Sequence, residues 1–263
     1  MKVALCQSEI IYEEVEQNLK KAELRIQEAK EKGSELILFP EMSFTGFSMN
    51  VLKISKYDKK ICDRIREFGI KYQINIGFGW VKLQGDKGEN HYSIIDQEGV
   101  IITDYIKIHP FTYGGENLHY CSGNQTKVVN INNRSFSPFL CYDLRFPELF
   151  QSVSNDAEII IVAANWPEVR REHWLTLLKA RAIENQVYMI GVNCTGVQKD
   201  TLYSGDSVIY DPEGNSLHSI LIGNELEVFE IENNITAFRS KFPLKQDRRN
   251  DLYYQLYKQG VNH

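Results

Sequence analysis

The sequence predicts a layered α/β fold, and three observations carry that prediction. Helix-period and strand-period segments alternate over the first eighty residues. Strand-like runs joined by short turn signals then follow from residue 90 onward. One later run, "AEIIIVAANW" (157–166), is apolar almost throughout, as a strand covered on both faces is. The mixture favours layers over a barrel of eight regular βα units.

The elements follow in order. "KVALCQ" (2–7) is a first strand. From Glu14 to Lys32, Val15, Leu19, Ala22, Ile26 and Ala29 recur at steps of three and four, one apolar face of a helix, and Gly33 is its stop. "SELILFPEM" (34–42) reads as a buried strand halted at Pro40. Ile61, Ile65 and Phe68 mark a helix over about 58–72, and "INIGFGWV" (74–81) is strand again. "NHYSIIDQEGVIITDYIK" (90–107) is a hairpin about "DQEG", with Gly99 in the turn. "TKVVNI" (126–131) and "SFSPFLCY" (135–142) add two strands. Residues 171–186 place Trp174, Leu177, Leu178 and Ala182 on one helical face. "VYMIGVNCTG" (187–196), "GDSVIYDPEG" (205–214) and "ELEVFEIE" (225–232) are further strands, with a turn at Asp211–Gly214.

With 263 residues, no Pro/Gly/Ser-rich linker and no repeat, the chain reads as one domain over 1–263, of which 235–263 form a charged, tyrosine-rich tail. A net charge of −5 leaves no electrostatic footprint for nucleic acid. No apolar run approaches the roughly 18–20 residues that span a bilayer. "MKVALCQSEI" lacks the apolar stretch of a signal peptide, so a cytoplasmic location is expected. Five cysteines without a CxxC pair, and histidines without zinc-ligand spacing, predict neither a disulfide framework nor a metal site.

Three reactive side chains stand where apolar strands run out: Glu41 after "LILFP", Lys107 after "TDYI" and Cys141 after "FSPFL". Loops at strand ends are where α/β folds place chemistry. Taken singly, each has an ordinary reading, an inert core thiol or a solvated charge.

The surrounding words change that balance. "FPEMSFTGF" (39–47), "DYIKIHPF" (104–111) and "LCYDLRFPELF" (140–150) resemble, in order, the three catalytic blocks of the nitrilase (carbon–nitrogen hydrolase) superfamily. "AANWP", "HWLTLLKARAIENQ" and "YSGDSVIYDPEG" extend the resemblance, which runs from Met1 into the tail. It is nearest the omega-amidase (2-oxoglutaramate amidase) branch, through "FTGFSMN", "ENLHYCSGN", "CYDLRFPE" and "ANWPEVRREHW".

The resemblance implies a four-layer α-β-β-α sandwich, paired into a homodimer with the tail near the interface. It implies Cys141 as nucleophile, Glu41 as general base and Lys107 as the cation of a Glu-Lys-Cys triad, with Glu116 as a second glutamate. The chemistry suits these residue types. A thiolate attacks an amide well, but free cysteine has a pKa near 8.5 and needs a base beside it. A carboxylate can take the thiol proton, pass it to departing ammonia and then deprotonate water. Lys107 and the Tyr142 N–H are the expected oxyanion donors. No metal or organic cofactor is required.

The branch implies a small amide substrate bearing a carboxylate, for which Arg145 is the candidate clamp; pairing with Asp143 or Glu148 is its structural alternative. Phe44, Tyr113 and Trp166 are candidate pocket walls, or else core. N-carbamoyl amino-acid hydrolysis, deaminated-glutathione amidase activity and nitrile hydrolysis use the same triad and remain alternatives. A non-catalytic binding protein of the same fold would be expected to have lost part of the triad. A Ser-His-Asp hydrolase would need a G-x-S-x-G elbow, which is absent.

Overall fold

The first strand sorts its side chains between two cores. In Lys2–Cys6 (β1), Val3 and Leu5 join one apolar cluster while Ala4 and Cys6 join another. This is the period-two alternation of a strand with both faces buried.

The computed structural model describes residues 1–223 and 225–260. After β1 come α1 (Val15–Glu31), β2 (Leu36–Leu38), α2 (Val51–Ile54) and α3 (Asp58–Tyr72). Three strands follow, β3 (Asn75–Gln84), β4 (Lys87–Ile95) and β5 (Ile101–Ile106), then α4 (Glu116–His119). The second half runs β6 (Val129–Ile131), β7 (Arg134–Leu140), α5 (Pro147–Val153), β8 (Ile159–Ala164), α6 (Arg171–Asn185) and β9 (Tyr188–Asn193). It closes with β10 (Thr195–Gln198), β11 (Thr201–Ser204), β12 (Val208–Tyr210), β13 (Leu221–Gly223), β14 (Leu226–Glu230), α7 (Ile235–Lys241) and α8 (Asn250–Gly260).

Two mixed sheets result. One has the order β13-β14-β1-β2-β3-β4-β5, with β1, β2 and β3 parallel; the other is β12-β9-β8-β7-β6, with β7, β8 and β9 parallel. Leu5, Leu38, Tyr92 and Ile94 of the first share a core with Phe136, Ile160 and Val162 of the second. Outside the first sheet, Leu19 and Ile26 of α1 and Ile65 and Phe68 of α3 pack on Ile37, Ile76 and Phe78. Outside the second, Phe150 of α5 and Trp174, Leu178 and Ala182 of α6 close the stack. The chain therefore forms the four-layer α-β-β-α sandwich.

Several boundaries differ from the sequence expectation, each for a local reason. The strand expected over 34–42 pairs only at Leu36–Leu38. Beyond it Pro40 has no N–H to donate and Met42 takes a left-handed φ of 44°. The strand expected at 74–81 continues to Gln84 as one arm of a hairpin with β4. Leu177 is only partly buried; Arg181 and Asn185 complete the inner face of α6. The strand expected over 187–196 divides at Cys194 into β9 and β10, and nothing in the apolar pattern marks the β10–β11 hairpin, because "TGVQKDTLYS" has no run of apolar residues.

The tail is held by cations on helix ends. Arg239 donates to the carbonyls of Ser154, Ala157 and Gln186, Lys245 to Ser154, and Arg248 to Glu184. These carbonyls lie at or just past the ends of α5 and α6, where a helix favours positive charge. Residues 261–263 of the expected tail lie outside the described residues.

Candidate active site

Four strand ends from the two sheets meet: β2 delivers Glu41, β5 delivers Lys107, β7 delivers Cys141 and β8 delivers Asn165. Glu41 and Lys107 are 0% and 1% exposed. The Glu41 segment lies directly on β3. A Cβ at Gly79 would come 2.3 Å from the Met42 nitrogen and 2.9 Å from the Glu41 carbonyl carbon, so only glycine admits this approach. Ser43 fastens it: the Ser43 N–H donates to the Gly79 carbonyl at 3.0 Å, and the Gly79 N–H donates to Ser43 Oγ at 2.8 Å.

Lys107 Nζ lies between two carboxylates. It donates to Glu41 Oε1 at 2.8 Å and to Glu116 Oε2 and Oε1 at 2.8 and 3.1 Å. Asn90 Nδ2 bridges the same two carboxylates, at 2.9 Å to Glu41 and 3.1 Å to Glu116. The Phe111 N–H donates to Glu116 Oε2 at 2.6 Å. Glu41 Oε2 accepts the Asn165 N–H at 3.0 Å, and Asn165 Nδ2 returns to the Glu41 carbonyl at 2.6 Å. Buried charges persist when paired and hydrogen-bonded, as both carboxylates are here. One ammonium against two carboxylates leaves the cluster formally at −1.

Cys141 opens the 3-10 turn Cys141–Arg145 with φ 42°, a strained conformation for a residue with a Cβ. Asp143 holds that turn. Fully buried, it accepts the Tyr105 hydroxyl at 2.7 Å, the Leu140 N–H at 3.1 Å, and the His109 N–H and Nδ1 at 3.0 and 2.9 Å. His109 in turn stacks on Phe146, ring centroids 3.7 Å apart. The Cys141 thiol donates to the Asn165 carbonyl at 3.8 Å and feels the Glu41 charge directly. The Tyr142 N–H is in the first turn of the 3-10 segment, where helical N–H groups lack an intrahelical acceptor.

Burial pushes the Cys141 thiol well above its ordinary range; Glu41 and Glu116 push the same way, and Lys107 pulls back. Burial acts to lower Lys107, but the charges of Glu116 and Glu41 outweigh it and hold the ammonium well above its usual value. The resting pair is thus a protonated thiol and a charged lysine.

Cys141 opens into a cavity of about 210 Å³. Tyr142, Arg145 and Trp166 line it, where the sequence put them. Phe44 does not: it is 1% exposed and packs between Phe39 and Phe78, and Phe47 supplies the wall instead. Tyr113 is 86% exposed and outside the lining, which Phe111 and Gly114 provide. Arg145 pairs with neither Asp143 nor Glu148. Its guanidinium lies 4.8 Å over the Trp166 ring, with Nη2 3.4 Å from His173 Nδ1.

Sequence reasoning missed Asn90, Asn165, Arg170 and Tyr203. Asn165 stands at the end of the apolar run 157–166, as Glu41, Lys107 and Cys141 stand at theirs, and Asn165, Arg170 and Tyr203 all fall inside the family-like segments "ANWPEVRREHW" and "YSGDSVIYDPEG". Asn193, at the end of β9, fixes the Asn165 loop through the Trp166 N–H and carbonyl, at 2.8 and 3.0 Å. Gln198 of β10 ties Asn165 Oδ1 (2.9 Å) to the Phe47 N–H (3.0 Å).

The carbon-nitrogen hydrolase family model matches residues 2–228. The chain is 31% identical to the omega-amidase YafV of Yersinia enterocolitica over 250 residues, covering 94% of this chain and 96% of that protein. It is 31% identical to the 2-oxoglutaramate amidase of Bacillus subtilis strain 168 over 258 residues, covering 95% and 98%. Among solved structures, a CN-hydrolase superfamily protein of Xanthomonas campestris, with an arsenic adduct in its active site, superimposes with a TM-score of 0.87 at 27% identity, covering 94% and 97%.

Proposed function

The chain belongs to the carbon–nitrogen hydrolase family, a hydrolase of non-peptide C–N bonds resembling omega-amidases, and from that premise we propose that it hydrolyses the omega-amides of short 2-oxo dicarboxylic acids. The observation that carries this reading is a buried Glu41–Lys107–Glu116 cluster behind a cysteine that opens into a small cavity edged by arginine.

In this mechanism Glu41 accepts the Cys141 proton as sulfur attacks the amide carbon. The C=O π electrons move to oxygen, which Lys107 and the Tyr142 N–H stabilise. Lys107 has three N–H donors and two carboxylate partners, so one donor can turn to the oxyanion. Collapse breaks the C–N bond, and Glu41 returns its proton to the departing ammonia. Glu41 then deprotonates water, which attacks the Cys141 thioester and releases the acid and the thiol. Glu116 keeps Lys107 in place. Arg145 receives the substrate carboxylate.

An ammonia-release panel tests the substrate: 2-oxoglutaramate, 2-oxosuccinamate, glutamine, an N-carbamoyl amino acid, deaminated glutathione and an aliphatic nitrile. The two oxo-amides should lead; clear turnover of another member with little on these rejects the assignment. We also read the tail as facing a second copy, supported by Tyr254, Leu256 and Tyr257 exposed on α8. A monomer mass at micromolar concentration would exclude that.

A further inference from the structure

The cavity lining carries more positive charge than one carboxylate needs. Arg145 and Arg170 both line it, and neither has a carboxylate partner among the described residues. Arg170 contrasts with its neighbour. Arg171 is tied to Asp206, with Nε 2.9 Å from both carboxylate oxygens and Nη2 2.8 Å from one. Arg170 lies instead 5.5 Å over the Phe111 ring, while its carbonyl accepts the Trp166 Nε1–H at 2.8 Å and fixes its backbone. Both guanidiniums therefore lie over ring faces, Arg145 on Trp166 and Arg170 on Phe111, and apart from the Arg145 Nη2 contact with His173 their edge N–H donors are left for a ligand.

Tyr203 of β11 adds a neutral donor. It is 5% exposed and lines the cavity, and its hydroxyl has no protein partner among the described residues. It shares that cavity with Cys141 and Arg170, and burial holds its hydroxyl protonated. No carboxylate is among the described residues lining the cavity.

We propose that Arg170 and Tyr203 complete, with Arg145, a distal subsite that selects a 2-oxo carboxylate and rejects the corresponding 2-ammonium carboxylate. The inference rests on the omega-amide reading above and names its specificity-determining residues. The two guanidiniums share the carboxylate, and the Tyr203 hydroxyl donates to the 2-oxo oxygen. An ammonium in the oxo position would meet two cations and find no acid to pair with.

Calorimetric titration with 2-oxopentanoate and 2-aminopentanoate tests this without turnover, since each carries the distal group on a chain with no amide. The unaltered protein should bind the oxo acid at least about tenfold tighter than the amino acid. R170Q should weaken oxo-acid binding by about tenfold or more, and R170K should recover part of it, because lysine keeps the charge and loses the fork. Y203F should weaken 2-oxopentanoate more than pentanoate. In kinetics, the ratio of kcat/KM for 2-oxoglutaramate to that for butyramide should fall in R170Q, through KM. Unchanged oxo-acid affinity in R170Q, or equal binding of the two acids by the unaltered protein, overturns the subsite. Failure of the unaltered protein to hydrolyse oxo-amides rejects the proposed reaction, whereas the calorimetry decides the subsite by itself.

Discussion

Glu116→Gln separates a working electrostatic cluster from a packing coincidence. Both oxygens of Glu116 are occupied by donors: Oε1 accepts from Lys107 and Asn90, and Oε2 accepts from Lys107 and the Phe111 N–H. Glutamine keeps the shape but turns one acceptor into an NH2, which then faces a donor in either orientation. One buried donor loses its acceptor, at about 1–3 kcal/mol. The remaining contact to Lys107 falls from a charged to a neutral hydrogen bond, about 1 kcal/mol more. The expected loss is about 2–4 kcal/mol, or about 4–16 °C in Tm for a chain of this size. The same change removes one of the charges that raise the Cys141 thiol, so its alkylation by iodoacetamide should shift to lower pH. Under the proposed mechanism kcat should drop about a hundredfold or more, because Lys107 is held less firmly in place. Thermal unfolding, an alkylation pH profile and ammonia release read the three effects. A Tm shift under about 1 °C together with an unmoved alkylation profile would refute the reasoning.

Cys141→Ala should fold and lose at least about four orders of magnitude in kcat, as loss of a nucleophile does in other enzymes; near-normal ammonia release would remove Cys141 from the nucleophile's role. Gly79→Ala should cost about 1–3 kcal/mol in urea unfolding and at least about tenfold in kcat, because its methyl would push the Glu41–Met42 backbone off β3. Arg145→Lys should raise KM for carboxylate-bearing amides more than for neutral ones; equal KM changes for both would return Arg145 to a structural part. Burial pushes the Cys62 thiol up to about 12 from an ordinary 9.0. A folded-state value above the unfolded one gives stability that is full below pH 9 and lost as pH rises towards 12. Urea midpoints between pH 8 and 11 should therefore fall less steeply in Cys62→Ser than in the unaltered protein.

The reactive side chains were legible because each follows an apolar run. A strand leaves a sheet where its pattern ends, which marks Glu41, Lys107 and Cys141 as candidates; position alone leaves each an ordinary reading, and the three family-like blocks around them supply the rest. The layered architecture was legible for the same reason: Val3 and Ala4, or Leu36 and Ile37, can both be buried only in a sheet covered twice. What periodicity does not carry is which loops meet. Asn165 reaches Glu41 because β8 lies beside β7 in one sheet and β2 ends in the other, a juxtaposition 124 residues apart in the chain. Gln198 sits in a polar hairpin with no apolar run to mark it, yet it is 3% exposed. Phe44 and Phe47 are equally aromatic and three residues apart. The bend at Met42–Gly46 decides that the first enters the core and the second faces the cavity.

The balance of one ammonium against two carboxylates also governs chemical durability. Peroxide and other soft electrophiles react with thiolate, scarcely with thiol. A sulfur held protonated by burial and by Glu41 and Glu116 should therefore oxidise slowly at rest, like an inert core cysteine, although it borders an open cavity. Under the proposed mechanism the proton leaves only as sulfur attacks a bound amide, whose carbonyl takes up the charge. The arrangement proposed to ready the sulfur for an amide should then also shelter it from oxidants between turnovers.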